Sequence, residues 1–354
     1  MMPFTGCEVL DFRSKPAPGP PRLVVQAMPG TGGPNGAKVP GAASHAEPPL
    51  HRRRPAASFH RIMHYILTLV ANREATSLTP ALINRVRDAL RAGMPVVLSP
   101  GEAADIPLTS APDMDLVRTV LEGEPVDAIS VRPRGRRKGL LIADMDSTII
   151  TAETLDELAD IAGIGEKIAA ITARAMNGEL DFKDALRERV GMLRGLSTDA
   201  LEQAWARIRL TPGAAELVAT MRSRGALTAL VSGGFTFFTG RVAAQVGFDL
   251  HRSNELLHAD GKLLGTVGEP ILDRTAKRDA LRDLAAERGV QLKATLAVGD
   301  GANDLDMLRE AGLGVAYHAK PIVAAEARAR VDHADLRALL FAQGYPATEF
   351  AATN

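Results

Sequence analysis

The chain has one cysteine in 354 residues, Cys7. That excludes an internal disulfide and a cysteine metal cluster, and fits a reducing compartment, here expected to be the cytoplasm. Aromatics are equally scarce: 4% of residues, with one Trp and three Tyr. There is little to stack nucleobases. Neither sign of charge prevails, since 42 Lys and Arg face 42 Asp and Glu, so no global field favours nucleic acid or an anionic membrane. No apolar run approaches the roughly 20 residues that cross a bilayer. What remains is 46% hydrophobic and 24% charged, the composition of a globular protein of two or three domains.

Residues 1–62 are crowded with proline and glycine and end in a basic patch, His51 to Arg54. Such a stretch buries too little apolar surface to offset its conformational entropy, and is expected to be a disordered leader. Translation starting at Met63 is the alternative. Residues 63–132 read as a small α/β domain: strand 65–71, helix 79–92 with Pro80 at its first turn, strand 95–98, helix 113–121 and strand 126–131. This alternation resembles ACT-type regulatory domains in topology, with no ligand motif. Basic residues 132–138, with Pro133 and Gly135, form a linker.

Residues 133–345 carry the chemistry. In KGLLIADMDSTIIT, 138–151, an apolar block ends in Asp144 and Asp146. Buried parallel strands read this way, and ligands collect at their carboxyl ends. Residues two apart on an extended chain share a side, so both carboxylates face one cleft and Met145 points into packing. The paired acids repel unless a cation or a proton intervenes. Residues 152–209 are mainly helical, which a parallel sheet cannot absorb, so they form a cap inserted between core segments 138–151 and 210–345. Strand and helix then alternate, with a hairpin about Asp260 and Gly261. The fold class is α/β: a doubly wound, Rossmann-like parallel sheet with an inserted helical cap, preceded by the small α/β domain.

Three polar clusters follow the aspartate pair. Ser232, Gly233 and Gly234 end a strand and open a helix, where a hydroxyl and free amides can cradle an oxyanion; a simple chain-reversing turn explains a lone SGG as well. Lys277 lies near a helix start, where a cation is disfavoured by the dipole, although most helical lysines are merely solvated. Asp300, Asn303 and Asp304 occupy a glycine-rich turn, as ligands or as turn and cap residues. Together they suit a phosphate with Mg²⁺, the hard cation that carboxylate oxygens bind.

DMDST, VSGG, the later lysine and GDGAND, in this order, resemble the haloacid-dehalogenase-like (HAD) phosphatases. Cap motifs ETLDELADIAG, AMNGELDF and ALRERVGML resemble the branch acting on O-phosphoserine, from about 139 to 340. The resemblance implies Asp144 as nucleophile and metal ligand. It implies Asp146 as general acid and base, with its backbone carbonyl on the metal, and Asp300 as the second carboxylate ligand. Ser232, Gly233 and Lys277 would hold the phosphoryl group, supported by Asn303 and Asp304. Met145 replaces the aromatic often found between the aspartates.

The cap helix carries Phe182, Ala185, Leu186, Val190 and Leu193 on one apolar stripe, interrupted by Arg189. That guanidinium either snorkels at the edge or meets an anion. Glu153 is by itself a first-turn acid complementing a helix dipole. The resemblance makes Arg189 the partner of the serine carboxylate and Glu153 that of the ammonium, with Met176 and Phe182 as apolar lids. The expected function is Mg²⁺-dependent hydrolysis of O-phosphoserine, the last step of serine synthesis. Alternatives are a phosphotransferase, a phosphatase for another small ester, or a regulatory protein whose core only senses. The expected partner is a small-molecule substrate, not nucleic acid or membrane, with a homodimer as the assembly to test.

Overall fold

A computed structural model describes residues 63–176 and 179–353, without the side chains of Ala175 and Met176. The leader predicted over 1–62 lies outside the described residues. Among those residues, no helix is long and apolar enough to cross a membrane.

The small module contains β1 (Tyr65–Ala71), α1 (Pro80–Ala89), β2 (Val96–Ser99), β3 (Ala103–Leu108), α2 (Met114–Val120) and β4 (Val126–Val131). Its antiparallel sheet runs β2-β3-β1-β4. Thr79 and Asp113 cap the two helices through their side chains, closing free N–H groups of the first turn. The sequence reading omitted β3, because Asp105 and Pro107 break its apolar pattern. The fold absorbs the acid: Arg136 donates to both Asp105 oxygens, at 2.5 and 2.7 Å, and Thr68 donates to one at 2.8 Å. A second bidentate pair, Arg337 with Glu102, and the Asp127 carboxylate receiving the amides of Asp332, His333 and Ala334 fasten the module to the core.

The core sheet is β12-β11-β10-β5-β6-β7, all parallel. Its strands are β5 (Leu140–Ala143), β6 (Leu227–Phe235), β7 (Leu250–Asn254), β10 (Thr295–Gly299), β11 (Leu313–Tyr317) and β12 (Ala329–Val331). Every residue of the central β5, β10 and β11 is buried, and each large aliphatic there contributes roughly 1.5–3 kcal/mol. Helices α7 (Ala214–Ser223), α8 (Thr236–Val246), α9 (Arg274–Arg288), α10 (Leu305–Glu310), α11 (Pro321–Glu326) and α12 (Ala338–Ala342) complete the core. Apolar clusters cover both faces of the sheet, since Leu141 and Ala143 belong to one cluster and Leu140 and Ile142 to another. The edge strands β7 and β12 were not predicted; β7 (LHRSN) is polar and β12 has three residues.

The cap consists of α3 (Thr154–Ile161), α4 (Gly165–Met176), α5 (Phe182–Gly191) and α6 (Asp199–Arg207). Its exit and return are clasped together: Ile150 bridges Leu210, Thr151 N–H donates to Arg209, and Thr211 N–H donates to Ile149. The hairpin β8 (Leu256–Ala259) and β9 (Lys262–Val267), expected as core, is bonded to the cap. Gly195 N–H donates to Leu263 and Thr198 N–H to Gly261.

Candidate active site

β5 delivers Asp144 to the carboxyl edge of the sheet, where the chain turns at once through Met145–Ile149. Ser147 takes φ +52° in this turn, a left-handed conformation with a steric penalty for a side chain. The turn buries Met145 completely, as expected, although the residue lies in the turn and not on extended strand. Asp144 Oδ1 accepts from Met145 N at 2.7 Å, and its Oδ2 meets Lys277 Nζ at 2.7 Å. Lys277 is 1% exposed and also reaches Asp304 Oδ1 at 2.7 Å. It is no solvated helix lysine. Burial opposes its charge, but Asp144 and Asp304 outweigh that and raise its pKa.

Asp146 is held differently. Thr154 N donates to its Oδ1 at 2.8 Å, and Ser232 Oγ donates to its Oδ2 at 3.0 Å. Burial nonetheless raises its pKa, the bonds from Thr154 and Ser232 opposing. The pair is therefore unequal: Asp144 lies against an ammonium, Asp146 against neutral donors. Gly234 N donates to Ser232 Oγ at 2.8 Å. A Cβ on Gly234 would fall 2.8 Å from Asp146 Oδ2, so only glycine permits this approach.

Carboxylate oxygens of Asp144, Asp300 and Asp304 lie within 4.8 Å of one another, and all three residues are buried. Burial and then the charge of Asp304 push Asp144 well up; the same two causes bring Asp300 to about 6. Excess negative charge among hard oxygen donors is the condition a divalent cation relieves, so the cluster fits a metal ion. Asp304 has the least capacity left, because Lys277 takes Oδ1 and Gly301 N takes Oδ2 at 3.0 Å. Asp300 accepts only from Thr148 Oγ1, at 3.2 Å, among the described residues. Asn303, half-buried, folds over Gly301, where a Cβ would meet its Oδ1 at 2.3 Å.

From the cap, Phe182 hangs over the glycine turn: a Gly233 Cβ would be 3.3 Å from its Cζ. Glu153 opens to the cleft and accepts from Ser147 Oγ at 2.7 Å. Lost solvation, reinforced by Asp146, lifts its pKa to about 7. Arg189 is half-buried and spends Nε on Ala185 O at 3.3 Å; among the described residues it forms no ion pair. Burial lowers its pKa, while Asp156 and Glu153 pull the other way. The side chain of Met176 lies outside the described residues. Sequence reasoning assigned no role to Ser147 and Thr148, which donate to Glu153 and Asp300, and missed Asn254, a buried amide that donates to Gly233 O at 2.8 Å.

The family model for haloacid dehalogenase-like hydrolases matches residues 141–309. A phosphoserine phosphatase from Streptococcus thermophilus is 47% identical over 199 residues, covering 56% of this chain and 93% of that protein. The chain belongs to the haloacid dehalogenase-like hydrolases. A phosphoserine phosphatase from Haemophilus influenzae is 45% identical over 208 residues, 59% of this chain and 66% of that one. Among solved structures of this family, an unliganded probable phosphoserine phosphatase from Vibrio cholerae superposes with TM-score 0.67 and 35% identity. It covers 82% of this chain and 88% of that one. A substrate-bound phosphoserine phosphatase complex gives TM-score 0.55 and 40% identity, covering 58% of this chain and 98% of that one.

Proposed function

We propose that this hydrolase is a Mg²⁺-dependent phosphoserine phosphatase, releasing serine and phosphate through an aspartyl-phosphate on Asp144. The observation that carries the reading is the unequal aspartate pair: Asp144 bound to buried Lys277, Asp146 bound to Ser232 and Thr154. In the first step a carboxylate oxygen of Asp144 attacks phosphorus and the bond to the serine oxygen breaks. Asp146, held by the neutral donors Thr154 and Ser232 and not by an ammonium, gives that oxygen a proton. Water then attacks the acyl phosphate, Asp146 takes its proton, and Asp144 is regenerated. Gly233 and Lys277, with Ser232 once its hydroxyl turns from Asp146, donate to the phosphoryl oxygens as charge develops. Asp144, Asp300 and the Asp146 carbonyl would hold Mg²⁺, which supplies countercharge to the phosphoryl group when bound.

Substrate choice falls to the cap. Glu153 takes the ammonium, the Arg189 fork takes the carboxylate, and Phe182 excludes water. The domain limits given above, a regulatory role for the small module, cytoplasmic residence and a homodimeric state complete the reading. For the last, Met94, Val96 and Val97 on and beside the edge strand β2 are exposed apolar residues, which edge pairing with a second copy would cover; sedimentation tests it. A phosphate-release screen over small phosphomonoesters, with and without Mg²⁺, tests the activity. O-phosphoserine should lead the panel. Transfer to an acceptor alcohol exceeding phosphate release would instead identify a phosphotransferase.

A further inference from the structure

The phosphate cradle sits on a break in the sheet. On β6, Val231 pairs with Arg252 and Phe235 with Asn254, so residues 232–234 face the single residue Ser253. Such a bulge leaves ladder groups unpaired, and the carbonyl of half-buried Gly233 needs a donor. Asn254 supplies the donor. It is 2% exposed, its Nδ2 donates to Gly233 O at 2.8 Å, and its Oδ1 accepts from Leu272 N at 2.7 Å. A carbonyl can only accept and an amide N–H can only donate, so these partners fix which end of the side chain is which. Thr236 Oγ1 holds the Asn254 carbonyl at 2.9 Å.

The Gly233 carbonyl and the Gly234 N–H belong to one planar peptide unit. Pinning the carbonyl toward Asn254 turns the N–H to the opposite side, where it donates to Ser232 Oγ at 2.8 Å. With that N–H on one of its lone pairs, Ser232 Oγ sends its own proton to Asp146 Oδ2 at 3.0 Å. The other arm of Asn254 holds Leu272, next to Asp273. Asp273 caps the helix bearing Lys277 by accepting from Thr275 N and Ala276 N at 2.9 and 3.1 Å.

We propose that Asn254 is a positioning residue that aligns the two halves of the phosphate cradle, the Ser232 turn and the Lys277 helix, through its paired hydrogen bonds to Gly233 and Leu272. It touches no substrate. It sets the plane of the Gly233–Gly234 peptide and, through it, the position of the Ser232 oxygen. The assignment rests on the phosphatase reading above, but concerns the phosphoryl group and not the leaving alcohol. Loss of Asn254 should therefore weaken every phosphomonoester alike.

The test uses the full chain with Mg²⁺ and the variants Asn254→Ala and Asn254→Asp. The second keeps the acceptor for Leu272 and the side-chain shape, loses the donor to Gly233, and serves if the first does not fold. Affinity for inorganic phosphate, measured by calorimetry, should fall about tenfold. The kcat/KM for O-phosphoserine and for p-nitrophenyl phosphate should fall together by about 10- to 100-fold, below the loss of a direct oxyanion donor. A folded variant with phosphate affinity within twofold of wild type overturns the proposal, as does a loss confined to one substrate. Because phosphate binding needs no substrate, wild-type protein inactive on O-phosphoserine would sink the substrate assignment and leave the Asn254 comparison standing.

Discussion

The catalytic floor and the cap are built to different standards. On the floor Asp144, Ser232, Lys277 and Asp304 are buried, with their polar atoms engaged at 2.7–3.0 Å. In the cap Glu153 is open to the cleft, Arg189 and Phe182 are half-buried, and among the described residues Arg189 has a single bond, to its own helix. The floor is set before a substrate arrives, as electrostatic preorganisation requires. The cap's binding groups are less committed, Glu153 to the Ser147 hydroxyl and Arg189 to its own helix. The chemistry is thus separable from the choice of leaving group, and substitutions in the two regions should leave different signatures.

The largest effect belongs to the floor. Asp144→Asn removes the attacking oxygen's charge and should lower kcat at least about 10⁴-fold on any phosphomonoester, read by phosphate release. Asp146→Asn should lower kcat/KM for O-phosphoserine, which reports the phosphorylation step, by about 10²–10⁴-fold and that for p-nitrophenyl phosphate far less, since a nitrophenolate leaves without a proton. Equal losses would show that Asp146 is not the acid. In the cap, Glu153→Gln should reduce kcat/KM for O-phosphoserine about tenfold relative to 3-phosphohydroxypropionate, which lacks the amine. An equal effect on both would remove the ammonium from its role.

The smallest effect sharpens the boundary between the two regions. Lys183 of the cap pairs with Asp273 of the core at 3.0 Å. Partial burial works to raise the Asp273 pKa, but the Thr275 hydroxyl, Lys183 and the Ala276 amide outweigh it and hold it at about 2. A folded pKa below the unfolded value stabilises the protein above the unfolded pKa, about 4, and that contribution is lost as pH falls from about 4 to 2. Asp273→Ala should destabilise by about 1–2 kcal/mol at neutral pH, the lost cap included. The gap to wild type in denaturant melts should narrow toward pH 2; a gap independent of pH would contradict the ion pair.

The parts of this design that follow simple rules were legible in the sequence. LLIA and TLAV announce buried strands, and carboxylates two apart on an emerging strand share a cleft because Met145 must turn inward. The cap was recognisable because consecutive helices cannot continue a parallel sheet. Strand β3 was hidden because its Asp105 is neutralised by Arg136, a residue distant in sequence, which no local pattern reveals. β7 and β12 are edge strands too polar or too short to show a period. Asn254 was missed for a related reason: an amide before a hairpin reads as a turn residue, and only the bulge of β6 exposes the carbonyl it must satisfy. Asp304 was legible as part of the acidic turn, but its commitment to Lys277 and Gly301 was not.

The separation of floor from cap is tested most directly with Arg189→Ala, measuring kcat/KM for O-phosphoserine and for p-nitrophenyl phosphate beside wild type. Loss of a charge-assisted fork should cost phosphoserine about 10- to 100-fold and leave the aryl ester within about threefold. Equal losses on the two substrates would place Arg189 in the common machinery and contradict the division of labour.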